Sequence, residues 1–196
     1  MASNTDQQNQ KARSLTYRLT LYALFAALLC IFAPMSVPIG PIPISLTGLV
    51  LYFTIFILET KGTLVSYTVY LLLGMVGLPV FSGYSGGLGK LAGPTGGYLI
   101  GYLPAILIMG LALSFARKKS RAIDLSVTFV GMIVGTAIAY LFGTIWFVIQ
   151  MGCAVSYALS VCVFPFIPFD IGKMVIATVL GRKVRSLLAR QGLVAA

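Results

Sequence analysis

Two charged residues stand close together in a stretch that otherwise avoids charge. Asp170 and Lys173 lie in the apolar run PFIPFDIGKMVIATVL. Their spacing makes them neighbours on one face of a helix. A charge inside a membrane span costs ~2.5–3.5 kcal/mol on insertion scales, so such residues are usually kept for a purpose. A carboxylate only accepts hydrogen bonds and an ammonium only donates them. The pair could therefore neutralise itself in a structural ion pair, or hold a ligand that carries both N–H donors and a carboxylate.

Catalysis has little else to work with. The chain contains no histidine, which removes the commonest general base and the commonest metal ligand. Cys30, Cys153 and Cys162 lie in apolar surroundings without metal-ligand spacing and read as packing residues. No metal or cofactor is expected. The alternative function is an intramembrane enzyme acting on a lipid or small molecule through Asp170 and Lys173, or through a serine activated by lysine. A purely structural membrane subunit is a third reading. Gly89-Lys90 is not a Walker A loop, because Leu91 follows where Ser or Thr is required and Tyr84 replaces the earlier glycine. Any ATP hydrolysis must belong to partner chains.

A second concentration of polar groups lies in LPVFSGYSGGLGKLAGPTGGYLIG, Leu78 to Gly101. Glycine allows backbone to approach a ligand or another backbone closely, and Ser82, Tyr84, Ser85, Lys90 and Thr95 stand among the glycines. The stretch reads as a binding loop outside the membrane core, facing Asp170 and Lys173. Phe81, Tyr84, Phe164 and Phe166 are candidate apolar walls.

The elements that must position these groups are membrane helices. Of the 196 residues 59% are apolar and 9% charged, against roughly a quarter charged in soluble domains. The apolar runs are long enough to cross ~30 Å of hydrocarbon as helices, and lack the alternation of a barrel strand. The fold class expected is an all-α integral membrane protein, a bundle of six transmembrane helices with the glycine-rich loop external, between helices 3 and 4. Residues 1–14 read as a polar cytoplasmic tail, 15–190 as a single substrate-binding domain and 191–196 as a short C-terminal tail. The first helix is expected over Leu15 to Ala33 and lacks a signal-peptide cleavage site. Pro34 to Pro43 reads as an extended crossing. Helix 2 is expected over Ser45 to Leu58, a tight turn over Glu59 to Gly62, and helix 3 over Thr63 to Val76. Helix 4 runs from Pro94 to Phe115, kinked at Pro104. The run from Ile123 to Phe164 divides into a span and a shorter outer segment, read as a re-entrant or interfacial helix, and the last helix covers Phe169 to Leu188.

Charge sets the orientation. The net charge is +10, but the basic residues sit at the ends of apolar runs rather than on an aromatic-interleaved surface, so nucleic acid is not the expected partner. With six spans, Lys11, Arg13, Arg18, Lys61, Arg117, Lys118, Lys119, Arg121, Arg182, Lys183, Arg185 and Arg190 fall on one side. By the positive-inside rule that side, with both termini, is cytoplasmic. Lys90, Lys173 and Asp170 are left toward the external side. Asp6, Glu59 and Asp124 belong to the cytoplasmic side. Ala23 and Ala27 give the first helix a small-residue face on which another helix could pack.

Several motifs are specific. Gly77-Leu78-Pro79-Val80-Phe81, Gly86-Gly87, Gly93-Pro94-Thr95-Gly96-Gly97-Tyr98, Tyr140-Leu141-Phe142-Gly143-Thr144-Ile145-Trp146 and Pro165-Phe166-Ile167-Pro168-Phe169-Asp170-Ile171-Gly172-Lys173 closely resemble the BioY family. These are the biotin-binding S components of energy-coupling factor (ECF) vitamin transporters. The resemblance extends over nearly the whole chain. It implies a six-helix protein of a bacterial or archaeal plasma membrane that captures biotin from outside with high affinity. It also implies a transmembrane T component and a pair of cytoplasmic ATPases as partners. Asp170 and Lys173 match the family's polar binding residues. Ala23 and Ala27 match the motif through which such components dock on the T component. Thr47 stands where family members often carry glutamine, and is the candidate contact from the second helix. Biotin offers two ureido N–H donors, a ureido carbonyl, an apolar bicycle and a carboxylate. Asp170 can accept the ureido hydrogens, loop amides can meet the carbonyl, and Lys173 or Lys90 can pair with the carboxylate. Phe81, Tyr84 and Ser85 complete the expected substrate-binding set.

Overall fold

The protein is represented by a computed structural model, whose described backbone covers residues 2–38, 41–116 and 121–190, with side chains described for 15–38, 41–116 and 123–190. Seven helices and a two-stranded ribbon make up this part of the chain: α1 Ala2–Phe32, β1 Ser36–Val37, β2 Ile44–Ser45, α2 Thr47–Met75, α3 Leu88–Ala92, α4 Gly96–Ala116, α5 Arg121–Met151, α6 Val155–Cys162 and α7 Ile167–Arg190. Among the described residues four segments are long and apolar enough to cross a membrane (Leu15–Phe32, Thr47–Met75, Gly96–Ala116 and Ile123–Met151), and α6 with α7, bent by 44°, makes a fifth if the pair counts as one span. The outer surface agrees with this: Leu111, Phe115, Ile149 and Val179 are each about 60–70% exposed, as lipid-facing side chains should be. The chain is a multi-pass membrane protein.

The helix count differs from the six expected for identifiable reasons. Two of the seven are short: α6 is the outer segment expected after the fifth span, and α3 is a five-residue helix inside the glycine-rich stretch that the apolar pattern does not distinguish from loop. The second and third expected helices are joined in α2, which is interrupted only at Glu59, with φ 62° and ψ −174°. That interruption reverses the chain. Thr47 and Tyr70 line one cavity, and Gly48 and Tyr67 both lie against Tyr102, whereas a straight helix would separate Thr47 from Tyr70 by ~35 Å at ~1.5 Å per residue. Arg185 closes the break by donating to the Phe56 carbonyl at 2.6 Å, one of the acceptors a helix end leaves unpaired. Its other amino group reaches Glu59 at 3.4 Å.

Other boundaries move as well. Helical backbone begins at Ala2, so the polar stretch read as a tail continues the first helix. Pro34 to Pro43 is not simply extended, because β1 and β2 pair antiparallel, Ser36 opposite Ser45 and Val37 opposite Ile44. α4 continues through Pro104. Pro168 sits in the first turn of α7, where its missing N–H leaves no bond unmade. The side chains of Asp6, Lys11, Arg13 and Arg121, the residues Arg117, Lys118 and Lys119, and the tail 191–196 lie outside the described residues.

The bundle has two chemically distinct ends. At one, the basic end, Arg182 pairs with Asp124 at 2.8 Å and Arg185 holds Glu59. At the other, the loop end, the β ribbon and the glycine-rich stretch meet, tied together by the Gly83 amide donating to the Pro34 carbonyl at 3.0 Å. Between the ends, buried hydrogen bonds join the helices: Tyr52 with Thr136 at 2.6 Å, Tyr67 to the Leu99 carbonyl at 2.7 Å and Ser66 to the Tyr22 carbonyl at 2.9 Å.

The most extensive helix contact is between α4 and α5, and glycine makes it possible. Gly97 faces Trp146 and the Phe142 carbonyl, Gly101 faces Ala139 and Phe142, and Gly143 of α5 faces the Tyr98 ring, each too closely for a Cβ to fit. Close backbone approach of this kind gains dispersion contacts in a bilayer, where the hydrophobic effect offers no drive for helix association. The last two glycines of the glycine-rich stretch, Gly97 and Gly101, thus serve helix packing.

Candidate functional site

Asp170 enters from the first turn of α7 and is 5% exposed. Its Oδ1 accepts from Lys173 Nζ at 2.7 Å, and its Oδ2 accepts from the Tyr140 hydroxyl of α5 at 2.6 Å. Two charge-assisted hydrogen bonds and a neutralising partner allow a carboxylate to remain in an apolar bundle. Binding capacity is left over. A carboxylate has about four acceptor positions and an ammonium three donors, so these two bonds leave each oxygen able to accept once more and Lys173 able to donate twice more.

The pair opens on a cavity at the loop end. Its wall is built by the ribbon (Ile42, Pro43, Ser45), both halves of α2 (Thr47, Tyr70), the glycine-rich stretch (Ser82, Thr95, Tyr98, Leu99), α4 (Tyr102), α5 (Tyr140) and the approach to α7 (Phe166), together with Asp170 and Lys173. Its volume is about 60 Å³, small against the ~300–1,000 Å³ of typical ligand pockets. A bicyclic ligand must displace part of this wall to enter. The wall is nonetheless well ordered by hydrogen bonds: Ser45 Oγ donates to Thr47 at 2.9 Å, and Tyr98 donates to the Cys162 carbonyl at 3.1 Å. Trp146 Nε1 donates to the Gly93 carbonyl at 3.0 Å and Gln150 to the Ala92 carbonyl at 2.7 Å, fixing the stretch to α5.

The residues expected from sequence divide into two groups. Asp170, Lys173 and Thr47 meet at this cavity, and Phe166 is in its wall. Phe81, Tyr84, Ser85 and Lys90 are not. Phe81 is fully buried and packs edge-on against the Tyr70 ring at 5.6 Å, behind the wall. Its backbone pairs with that of Ser85, closing a turn. Tyr84 sits at the tip of that turn with φ 55° and is 67% exposed. Ser85 Oγ is spent on the Ser82 carbonyl at 2.8 Å. Lys90 lies on α3, half-buried and outside the wall. Phe164 is 62% exposed. The glycine-rich stretch does reach the cavity, but with Ser82, Thr95, Tyr98 and Leu99. Tyr140, Tyr70 and Tyr102 were not singled out from the sequence as site residues, because a tyrosine in an apolar helix looks the same whether it packs or binds.

Away from the cavity, Ala23 and Ala27 are exposed on α1, in line with Leu15, Leu19 and Ile31, each above 50% exposed. This face is available to lipid or to another helix.

The family model of the BioY family matches residues 4–190. The chain belongs to the BioY family. Among its relatives, the Biotin transporter BioY2 of Lactococcus lactis subsp. cremoris is 34% identical over 84% of this chain and 88% of its own length. The Biotin transporter BioY of Thermotoga maritima is 33% identical over 84% and 93%. A solved structure described as "Crystal structure at 2.1 A of the S-component for biotin from an ECF-type ABC transporter" aligns with a TM-score of 0.74 and 30% identity, covering 91% of this chain and 93% of that one. The BioY fold accordingly extends across the elements that build the cavity.

Proposed function

We propose that this protein captures biotin from the external side of a bacterial or archaeal plasma membrane, as the substrate-specificity subunit of an ECF-type transporter. The observation that carries the reading is the Asp170–Lys173–Tyr140 cluster, a charged group bonded on one side and open on the other, at a small cavity. Asp170 accepts the ring N–H groups of the ligand, and the spare N–H bonds of Lys173 meet an acceptor beside them. Thr47 contributes a hydroxyl from α2, while Tyr98, Tyr102 and Phe166 receive the apolar bicycle. The geometry favours Lys173 over Lys90 as a first contact.

Counting the two halves of α2 separately, and α6 with α7 as one bent span, gives six crossings with both termini on the basic, cytoplasmic side. The cavity then lies at the external end, beneath the ribbon and the glycine-rich stretch. Because the chain carries no nucleotide-binding loop, a transmembrane T component and an ATPase pair drive release inward. The exposed Ala23–Ala27 face of α1 is the proposed dock for the T component.

The relatives' names and the engagement of the acid by a lysine and a tyrosine favour binding over chemistry on a lipid. The test is calorimetric titration of the detergent-purified chain, stripped of copurified ligand, with biotin and with a vitamin of different shape. Tight one-to-one binding of biotin alone is expected. Equal response to both would overturn the assignment.

A further inference from the structure

Two buried hydroxyls in the cavity wall have nothing to bind. Among the described residues neither Tyr70 Oη nor Thr95 Oγ1 has a hydrogen-bond partner, although Tyr70 is fully buried and Thr95 is 9% exposed. Thr47 lies beside Tyr70, but the two hydroxyls do not meet at hydrogen-bond geometry. A buried hydroxyl left unpaired costs ~1–3 kcal/mol. Buried polar groups are normally satisfied, so exceptions in a binding wall call for a ligand atom.

Their depth identifies that atom. α4 and α5 run antiparallel with Gly101 against Ala139, so Tyr140, and Asp170 bound to it, lie level with Gly101 and Tyr102. Thr95 stands seven residues before Tyr102, ~10 Å nearer the loop end at ~1.5 Å per residue. Tyr70 is near the same level as Thr95, since Tyr67, one turn deeper in the second half of α2, binds the Leu99 carbonyl. The cavity therefore has an inner charged pole at Asp170 and Lys173 and an outer neutral pole at Tyr70 and Thr95, and Ser45, Thr47 and Ser82 add further hydroxyls to its wall.

We infer that the outer hydroxyls, led by Tyr70 and Thr95, receive the carboxylate end of the ligand, while Asp170 and Lys173 keep its ring. This rests on the proposed biotin reading. A pentanoate chain bridges the two poles, and a carboxylate accepts from several hydroxyls at once. No lysine is then needed at the outer pole, and Lys90 stays outside the wall.

The experiment compares biotin with biotinol, in which the carboxylate is reduced to an alcohol, on the full chain and on Tyr70→Phe, Thr95→Val and Lys90→Gln. Removing one hydrogen bond to a charged group should weaken biotin about ten- to hundredfold. The expected result is that Tyr70→Phe and Thr95→Val lose biotin affinity to this extent and leave biotinol unchanged, while Lys90→Gln leaves the ratio as it was. The ratio of the two ligands is insensitive to the folded fraction, and Thr95→Val carries the test if Tyr70→Phe does not fold. Equal losses for both ligands, unchanged biotin affinity in the hydroxyl variants, or a ratio that collapses only in Lys90→Gln would overturn the inference. If the parent chain bound no biotin, the ligand reading itself would fall, and the inference with it.

Discussion

The hydroxyl of Tyr140 donates to Oδ2 of Asp170 across 2.6 Å, joining α5 to α7 at the floor of the cavity. Because Lys173 occupies the other oxygen at 2.7 Å, the carboxylate is held from two directions, one on its own helix and one on a neighbour. Its orientation toward the cavity is therefore a tertiary property, which no single helix could provide. Tyr140→Phe should leave the bundle folded and weaken biotin binding by roughly ten- to hundredfold, the value of one hydrogen bond to a charged group at ~1.5–3 kcal/mol. Titration of the purified variant checks this. Parent-like affinity would mean that Lys173 alone orients the acid.

The α1 face predicts a separation of functions. Ala23→Leu places a branched side chain on an exposed surface, so folding and biotin binding should be unchanged while copurification with a T component is lost. Retained assembly would move the docking surface elsewhere.

The glycines predict a different pattern. Gly101→Leu would drive a side chain into Ala139 and Phe142, and overpacking of this kind costs ~1–3 kcal/mol or more. Yield of folded protein and thermal stability in detergent should fall. By contrast, Gly89→Ala meets open space and should leave both unchanged, which fluorescence-detected size exclusion after heating would measure.

At the basic end, Arg185 is expected to act on stability alone. Arg185→Ala removes a charged donor from the Phe56 carbonyl at the reversal of α2, a loss of ~1.5–3 kcal/mol. The melting temperature should drop while biotin affinity at the far end holds. An affinity loss as large as that of Tyr140→Phe would show that the break is coupled to the cavity.

Much of this arrangement is legible in the sequence, and the boundary is physical. Membrane spans follow from run length, and the Asp170–Lys173 pair stands out because charge is costly in hydrocarbon. The pairing of Asp170 with Tyr140, thirty residues away, depends on how α5 packs against α7, which hydropathy does not encode. The glycine-rich stretch was recognisable as special but not divisible. Glycine is chosen both for turns and for close helix contact, so Gly97 and Gly101, which pack against α5, look no different from the glycines of the turn around Tyr84. Phe81, Tyr84, Ser85 and Lys90 are attractive for their chemistry, yet the first three belong to the turn closed by Phe81 and Ser85 and Lys90 lies on α3, all outside the cavity wall, while the less conspicuous Thr95 is in it. The reversal at Glu59 was readable as a turn, because a charged Glu-Thr-Lys-Gly segment interrupts an apolar run. What the sequence did not reveal is that one residue in an unusual conformation suffices to make it.

The measurement that tests the central claim most directly is the titration of Asp170→Asn and Lys173→Gln with biotin beside the parent chain, each first confirmed to be folded by its melting transition. Tight one-to-one binding by the parent is expected, with a loss of at least about a hundredfold in each variant, since each leaves a buried partner charge uncompensated at the site. Folded Asp170→Asn that bound biotin as well as the parent would contradict the claim.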